Sequence, residues 1–177
     1  WLQIGQTLSN EKIQKLRYED EIEVGLQKAL HFISFRPRSK YEVIKNLTKH
    51  GFEEASQEII IEKLERGNFI DDENFIRLWV EDRSLYKPKG KIALFAELRQ
   101  KGIPREIIEK QLLNLPEVQL AFNAGKSQLR KHSQLNKKDF QKKIYGFLAR
   151  RGFHYGIISE VTPQLWEEIA PKIVNEA

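Results

Sequence analysis

Basic side chains gather at three places in this 177-residue chain, in a pattern suited to a polyanion or an acidic protein surface. Arg36, Arg38 and Lys40 surround Pro37, and Lys87, Lys89 and Lys91 surround Pro88, 51 residues further on. Lys137 and Lys138 open a third group that continues through Lys142, Lys143, Arg150 and Arg151. Several point charges on one rigid face can contact successive phosphates or a carboxylate-rich groove. The charge is unevenly spread. Residues 126–152 carry nine basic side chains and one acidic (Asp139), net +8, while 51–80 carry three basic and eight acidic, net −5, within a chain of formal net charge +5. Tyr41, Tyr86 and Tyr145 stand near these cations, where they could stack on bases or simply pack.

Other chemistries find little support. His31, His50, His132 and His154 are far apart, none at i, i+4 from another, so they read as surface or helix-end residues and no metal is expected. Asp71-Asp72-Glu73 is the tightest carboxylate group and could be imagined holding a nuclease metal. Its place directly before Phe75, Ile76 and Trp79 favours helix capping instead. There is no Gly-rich phosphate loop, nucleophile elbow or Ser/His/Asp arrangement, so neither an enzyme nor a cofactor is expected. The chain has no Cys, no apolar run of about 18 residues and no signal peptide, the pattern of a soluble, cytoplasmic protein with no membrane partner. It starts at Trp1 and holds no Met, as a fragment without its natural N-terminus would.

The elements that must position the cations follow from an internal repeat. Lys49-His50-Gly51-Phe52, Gln100-Lys101-Gly102-Ile103 and Arg150-Arg151-Gly152-Phe153 place their glycines 51 and 50 residues apart. Val43, Leu94 and Ile144 lie eight residues before each glycine, and Leu47, Leu98 and Leu148 four before. A period near 50 is one supersecondary unit used three times. Composition and 3.6-residue periodicity make each unit helical.

Ser9 or Asn10 caps a first helix, which Pro37 ends near Phe35. Ser39 and Glu42 form a capping box for the second, Gly51 closes it, and a third runs to Gly67 with Ala55, Ile59, Ile60 and Leu64 inward. The order recurs after Asp71, with Pro104 in the first turn of a helix, and again after Pro116. There a basic connection from Lys131 to Lys138 precedes a helix with Phe140, Ile144, Phe147 and Leu148 inward. Thr162-Pro163 predicts a stop and a final helix. The fold class is all-α: three tandem three-helix repeats forming an elongated curved array. The boundaries are an N-terminal segment over 1–21, then repeats over 22–67, 68–115 and 116–177, the last with a C-terminal helix. A helix–turn–helix reading of 43–65 fails, because Glu53, Glu54, Glu58, Glu62 and Glu65 would face phosphates.

Ala29-Leu30-His31-Phe32-Ile33-Ser34-Phe35-Arg36-Pro37-Arg38-Ser39, Gly67-Asn68-Phe69-Ile70-Asp71-Asp72 leading into Phe75, and Leu98-Arg99-Gln100-Lys101-Gly102-Ile103 resemble the RecX family. The likeness spans roughly Glu19 to Pro163, and in the third repeat Lys138 replaces the proline of the first two. The resemblance implies a regulator of the bacterial RecA recombinase, in DNA repair, homologous recombination and the SOS response. It implies docking in the groove of the RecA–DNA filament, with inhibition of extension, ATPase and strand exchange. The cationic edge named above would meet the filament, single- and double-stranded DNA, or both, with a monomer expected. An independent nucleic-acid-binding module acting by competition for DNA is the alternative, and a protein-only helical scaffold is the third reading.

Overall fold

The computed structural model describes residues 7–169, and these form ten α-helices and no strand. They group into two compact units: the first runs through Phe75 and includes Lys101–Ile103, and the second comprises Ile76–Gln100 and the chain from Pro104 onward.

In the first unit, Ser9 caps α1 (Asn10–Ser34) by accepting from the Lys12 amide at 3.2 Å. Helix α2 (Lys40–Lys49) starts from the full capping box of Ser39 and Glu42, and α3 (Glu54–Arg66) follows. Their apolar stripes converge on Ile22, Ala29, Val43, Leu47, Ile60 and Leu64, all buried. On α3 the buried face is rotated from the expected one. Ala55 is exposed, and Ser56 and Gln57 are buried because both are satisfied: Ser56 donates to Glu21 at 2.8 Å and Gln57 to the Phe52 carbonyl at 2.6 Å.

In the second unit, α5 (Lys91–Gln100) and α6 (Arg105–Leu112) bury Leu94, Leu98, Ile108 and Leu112. Pro104 is the residue before α6 rather than part of its first turn. Helices α7 (Glu117–Lys126), α9 (Lys137–Arg150) and α10 (Tyr155–Glu167) close round Leu120, Phe140, Ile144, Leu148, Ile158 and Leu165. Helix α4 (Asp72–Tyr86) carries the boundary between the units.

Two expectations need correction in the third repeat. The connection before α9 contains a one-turn helix, α8 (Leu129–His132), and ends at Asn136, which caps α9 by accepting from the Asp139 amide at 3.0 Å. Lys137 and Lys138 therefore belong to the first turn of a 14-residue helix, one turn longer than the 10-residue α2 and α5. Nor does Thr162-Pro163 stop a helix. Pro163 lies inside α10, Thr162 is buried and donates to the Ile158 carbonyl at 2.6 Å, and Val161 and Leu165 are in the core on either side. Packing outweighs the one hydrogen bond that proline removes.

The repeat glycines serve a recurring joint. Gly102 and Gly152 adopt φ of 76° and 78°, a region that favours glycine. In the first unit, Ser39 donates to the Lys101 carbonyl at 2.7 Å, and a Cβ on Gly102 would meet Tyr41 at 2.2 Å. In the second, the Gly90 amide donates to the Arg151 carbonyl at 2.9 Å, and a Cβ on Gly152 would lie 2.5 Å from that of Ala93. The Gly102 and Gly152 tripeptides thus seat against the starts of the middle helices α2 and α5. A second tie repeats as well: Asp72, the first residue of α4, accepts from the Lys40 amide, and Glu117, the first residue of α7, accepts from the Lys91 amide, both at 2.9 Å.

Candidate functional site

Capping and packing place Lys40, Lys91 and Lys137 alike, as the first residue of α2, α5 and α9. The positive end of a helix is an unfavourable place for a lysine. Asp72 and Glu117 offset this at α2 and α5 by binding the backbone amide of the lysine itself. Asp71, by contrast, accepts from the Glu73 amide at 2.9 Å and so serves its own helix α4. Burial pushes the Asp72 carboxyl above its usual range, against the pull of the Lys40 amide and charge.

Half of the twelve candidate cations are engaged within the fold. Arg36 makes a two-pronged contact with Glu42, at 2.9 and 3.2 Å. Arg38 donates to the Phe32 carbonyl at 3.3 Å and lies 3.9 Å over the Phe32 ring. Lys40 pairs with Glu65 at 2.8 Å. Lys89 pairs with Glu97, which also receives Trp79 Nε1 at 2.9 Å and Arg83 Nε at 3.2 Å. Lys91 donates to the Leu113 carbonyl at 3.0 Å, and Arg151 to the Pro88 carbonyl at 3.2 Å while covering the Phe147 ring. Burial opposes ionisation of Glu42, and the hydrogen bonds from Arg36 and Lys101 overcome it, holding its carboxyl down to about 2. Glu97 is likewise lowered: burial resists, and the bonds from Lys89 and Trp79 prevail.

The other six, Lys87, Lys137, Lys138, Lys142, Lys143 and Arg150, are exposed, with no hydrogen bond or ion pair to their side chains among the described residues. The repeat explains the difference. Nine residues before the glycine stand Glu42, Ala93 and Lys143 in turn. Arg36 therefore has a carboxylate to meet, Lys87 has an alanine, and the third repeat adds a further cation. On α9, at 100° per residue, Lys138, Lys142 and Tyr145 share one stripe and Lys143 and Arg150 another, both away from Phe140, Ile144 and Leu148. Lys143 also joins the adjacent one-turn helix electrostatically. Burial lowers the His132 pKa, and the charges of Lys131 and Lys143 lower it further. Among the described residues no group of three or more His, Asp or Glu side chains is placed to hold a metal, and no helix is long and apolar enough to cross a membrane.

Family profiles described as the first, second and third three-helix domains of RecX match residues 26–64, 71–112 and 116–162. The regulatory protein RecX of Pelodictyon phaeoclathratiforme is 34% identical over 127 residues, covering 72% of this chain and 79% of that one. The chain belongs to the RecX family. The RecX proteins of Bacillus licheniformis and Bacillus subtilis are each 31% identical, over 161 and 170 residues, covering 89% and 93% of this chain. This RecX-family chain spans about three fifths of their length, 61% and 63%. The crystal structure of RecX from Lactobacillus salivarius superposes with a TM-score of 0.76 at 27% identity, over 83% of this chain and 97% of that one. A second crystal structure, of a regulatory protein RecX, shares the fold at 0.77 and 22% identity, over 92% of this chain and 81% of that one.

The partners that occupy the cations escaped the sequence reading. Glu42 carried a local signal through its capping box. Glu65 and Glu97 carried none, because nothing in their own helices marks the lysine each one meets.

Proposed function

We propose that this RecX-family chain is a non-enzymatic regulator of a RecA recombinase filament. It acts as a cytoplasmic monomer that docks on the filament through cations its own fold leaves unpaired. The observation that supports this best is the exposed, unpartnered set Lys138, Lys142, Lys143 and Arg150 on α9, carried by a helix whose opposite face is fixed in the core. The mechanism is steric and electrostatic. Cations aimed at filament carboxylates or DNA phosphates hold neighbouring recombinase subunits in one relative position, which hinders extension, ATP hydrolysis and strand exchange.

Single-strand-dependent ATPase of RecA, titrated with the full chain, tests this. Hydrolysis should fall at near-stoichiometric amounts, and an unchanged rate at saturation refutes the reading. The triple charge reversal K142E/K143E/R150E should abolish inhibition whether these cations act by docking or by competition for DNA. Inhibition that persists once this variant no longer binds a free oligonucleotide excludes competition and takes docking away from these three cations.

A further inference from the structure

Each repeat carries the same groove between its second and third helices, and the three grooves differ in chemistry. In the first, Lys40 and Ile44 face Glu54, Glu58, Glu62 and Glu65. In the second, Lys91, Ile92 and Phe95 face Arg105, Glu109 and Leu113. In the third, Gln141, Lys142 and Tyr145 face Tyr155, Ser159 and Pro163. Counted from the repeat glycines, Tyr155 stands where the first repeat has Glu54, Ser159 where it has Glu58, and Pro163 where it has Glu62. Among the described residues, no carboxylate lines the third groove.

Tyr155, in place of Glu54, forms an exposed aromatic pair with Tyr145, which stands where the first repeat has Ile44. The rings of Tyr145 and Tyr155 meet edge to face, with centroids 6.0 Å apart and planes at 61°, yet the residues remain 44% and 65% exposed. Core packing does not account for them. The groove encloses about 500 Å³, within the ~300–1,000 Å³ of sites that take a small organic group. Lys142 lines it, and Lys138 lies one turn earlier on the same stripe of α9, neither side chain paired among the described residues. Flat apolar rings beside a short row of free cations match a base with its flanking phosphates. A duplex keeps its bases stacked inside, so the fitting ligand is single-stranded.

We propose that the third-repeat groove is a base-stacking site for single-stranded nucleic acid, with Tyr145 and Tyr155 against the base and Lys142 and Lys138 on adjoining phosphates. It shares Lys138 and Lys142 with the filament reading, and is tested by binding with no recombinase present. Tyr155 is the new participant, on a helix that contributes no cation to the site.

The test is anisotropy of a short fluorescein-labelled oligothymidylate, with a matched abasic strand as control and the full chain as titrant. Y145A and Y155A should each weaken binding roughly fivefold or more without changing its salt slope, while Y145F and Y155F retain it. The abasic strand should bind the unaltered chain about as weakly as the intact strand binds the alanine variants. S159E, which restores the carboxylate of the first repeat, should also weaken binding and needs no large side chain removed. Alanine variants that bind like the unaltered chain, or that lose as much affinity for the abasic strand, overturn the proposal. So does loss of RecA inhibition with oligonucleotide binding intact, which assigns the groove to a protein. Loss of oligonucleotide binding with inhibition intact upholds the stacking site and leaves the regulatory reading standing.

Discussion

Glu42 shows how one side chain can remove cations from service. Its carboxylate takes Arg36 at 2.9 Å and Lys101 at 2.8 Å, and it accepts from the Ser39 amide at 3.4 Å. Folding lowers its pKa from the ordinary value of 4.5 to about 2, so the folded state favours the ionised form. The stability this contributes is whole above pH 4.5 and is lost as pH falls towards 2. Asp72 has the opposite sign, since burial favours its protonated form. Melting temperature measured from pH 5 down to about 2 should fall less steeply for E42Q than for the unaltered chain, and this comparison cancels Asp72. Parallel curves would mean that the Arg36 and Lys101 contacts do not survive in solution.

Among the helices and their joints, the recurring unit is the seating of a glycine tripeptide on a helix start. Gly51, Gly102 and Gly152 share a positive φ, but a Cβ on Gly51 would meet nothing within 4 Å. Alanine at 51 therefore carries only the backbone cost, about 1–2 kcal/mol. Alanine at 152 adds a clash with Ala93 at 2.4–2.5 Å, of the overpacking kind that costs about 1–3 kcal/mol more. G51A should lower the melting temperature by a few degrees, at roughly 2–4 °C per kcal/mol for a chain of this size, and G152A by clearly more. Equal shifts in circular-dichroism melts would show that the tripeptide is not seated on α5.

For the molecule as a whole, the net charge of +5 conceals a division between cations spent on the fold and cations left over. Lys89 and Arg151 belong to the first kind and Lys142, Lys143 and Arg150 to the second. K89A and R151A should lower the melting temperature while leaving the salt slope of oligonucleotide binding unchanged. K142E/K143E/R150E should do the reverse, with the slope falling by up to about 0.7 for each phosphate no longer neutralised. If all these variants moved the slope alike, the division would be wrong.

Much of the fold was legible because its signals are local. The glycine period, the Ser39–Glu42 box, the stop before Pro37 and the Asp71–Asp72 helix start each lie within a few residues of the structure they specify. The prolines show where local reading fails. Pro37 ends a helix as its neighbourhood predicts, whereas Pro163 sits inside one, because burial of Val161, Thr162 and Leu165 exceeds what one missing hydrogen bond costs. The candidate site failed to be legible for a similar reason. Basic residues and their repeat spacing are plain in the sequence, but Lys40 meets Glu65 across 25 positions, Lys101 meets Glu42 across 59, and Arg151 meets Pro88 across 63. That cations recur with the repeat is written in the order of residues alone. Which of them stay available depends on the folded chain, since a charge is neutralised by what lies within a few ångströms of it and not by what adjoins it along the backbone.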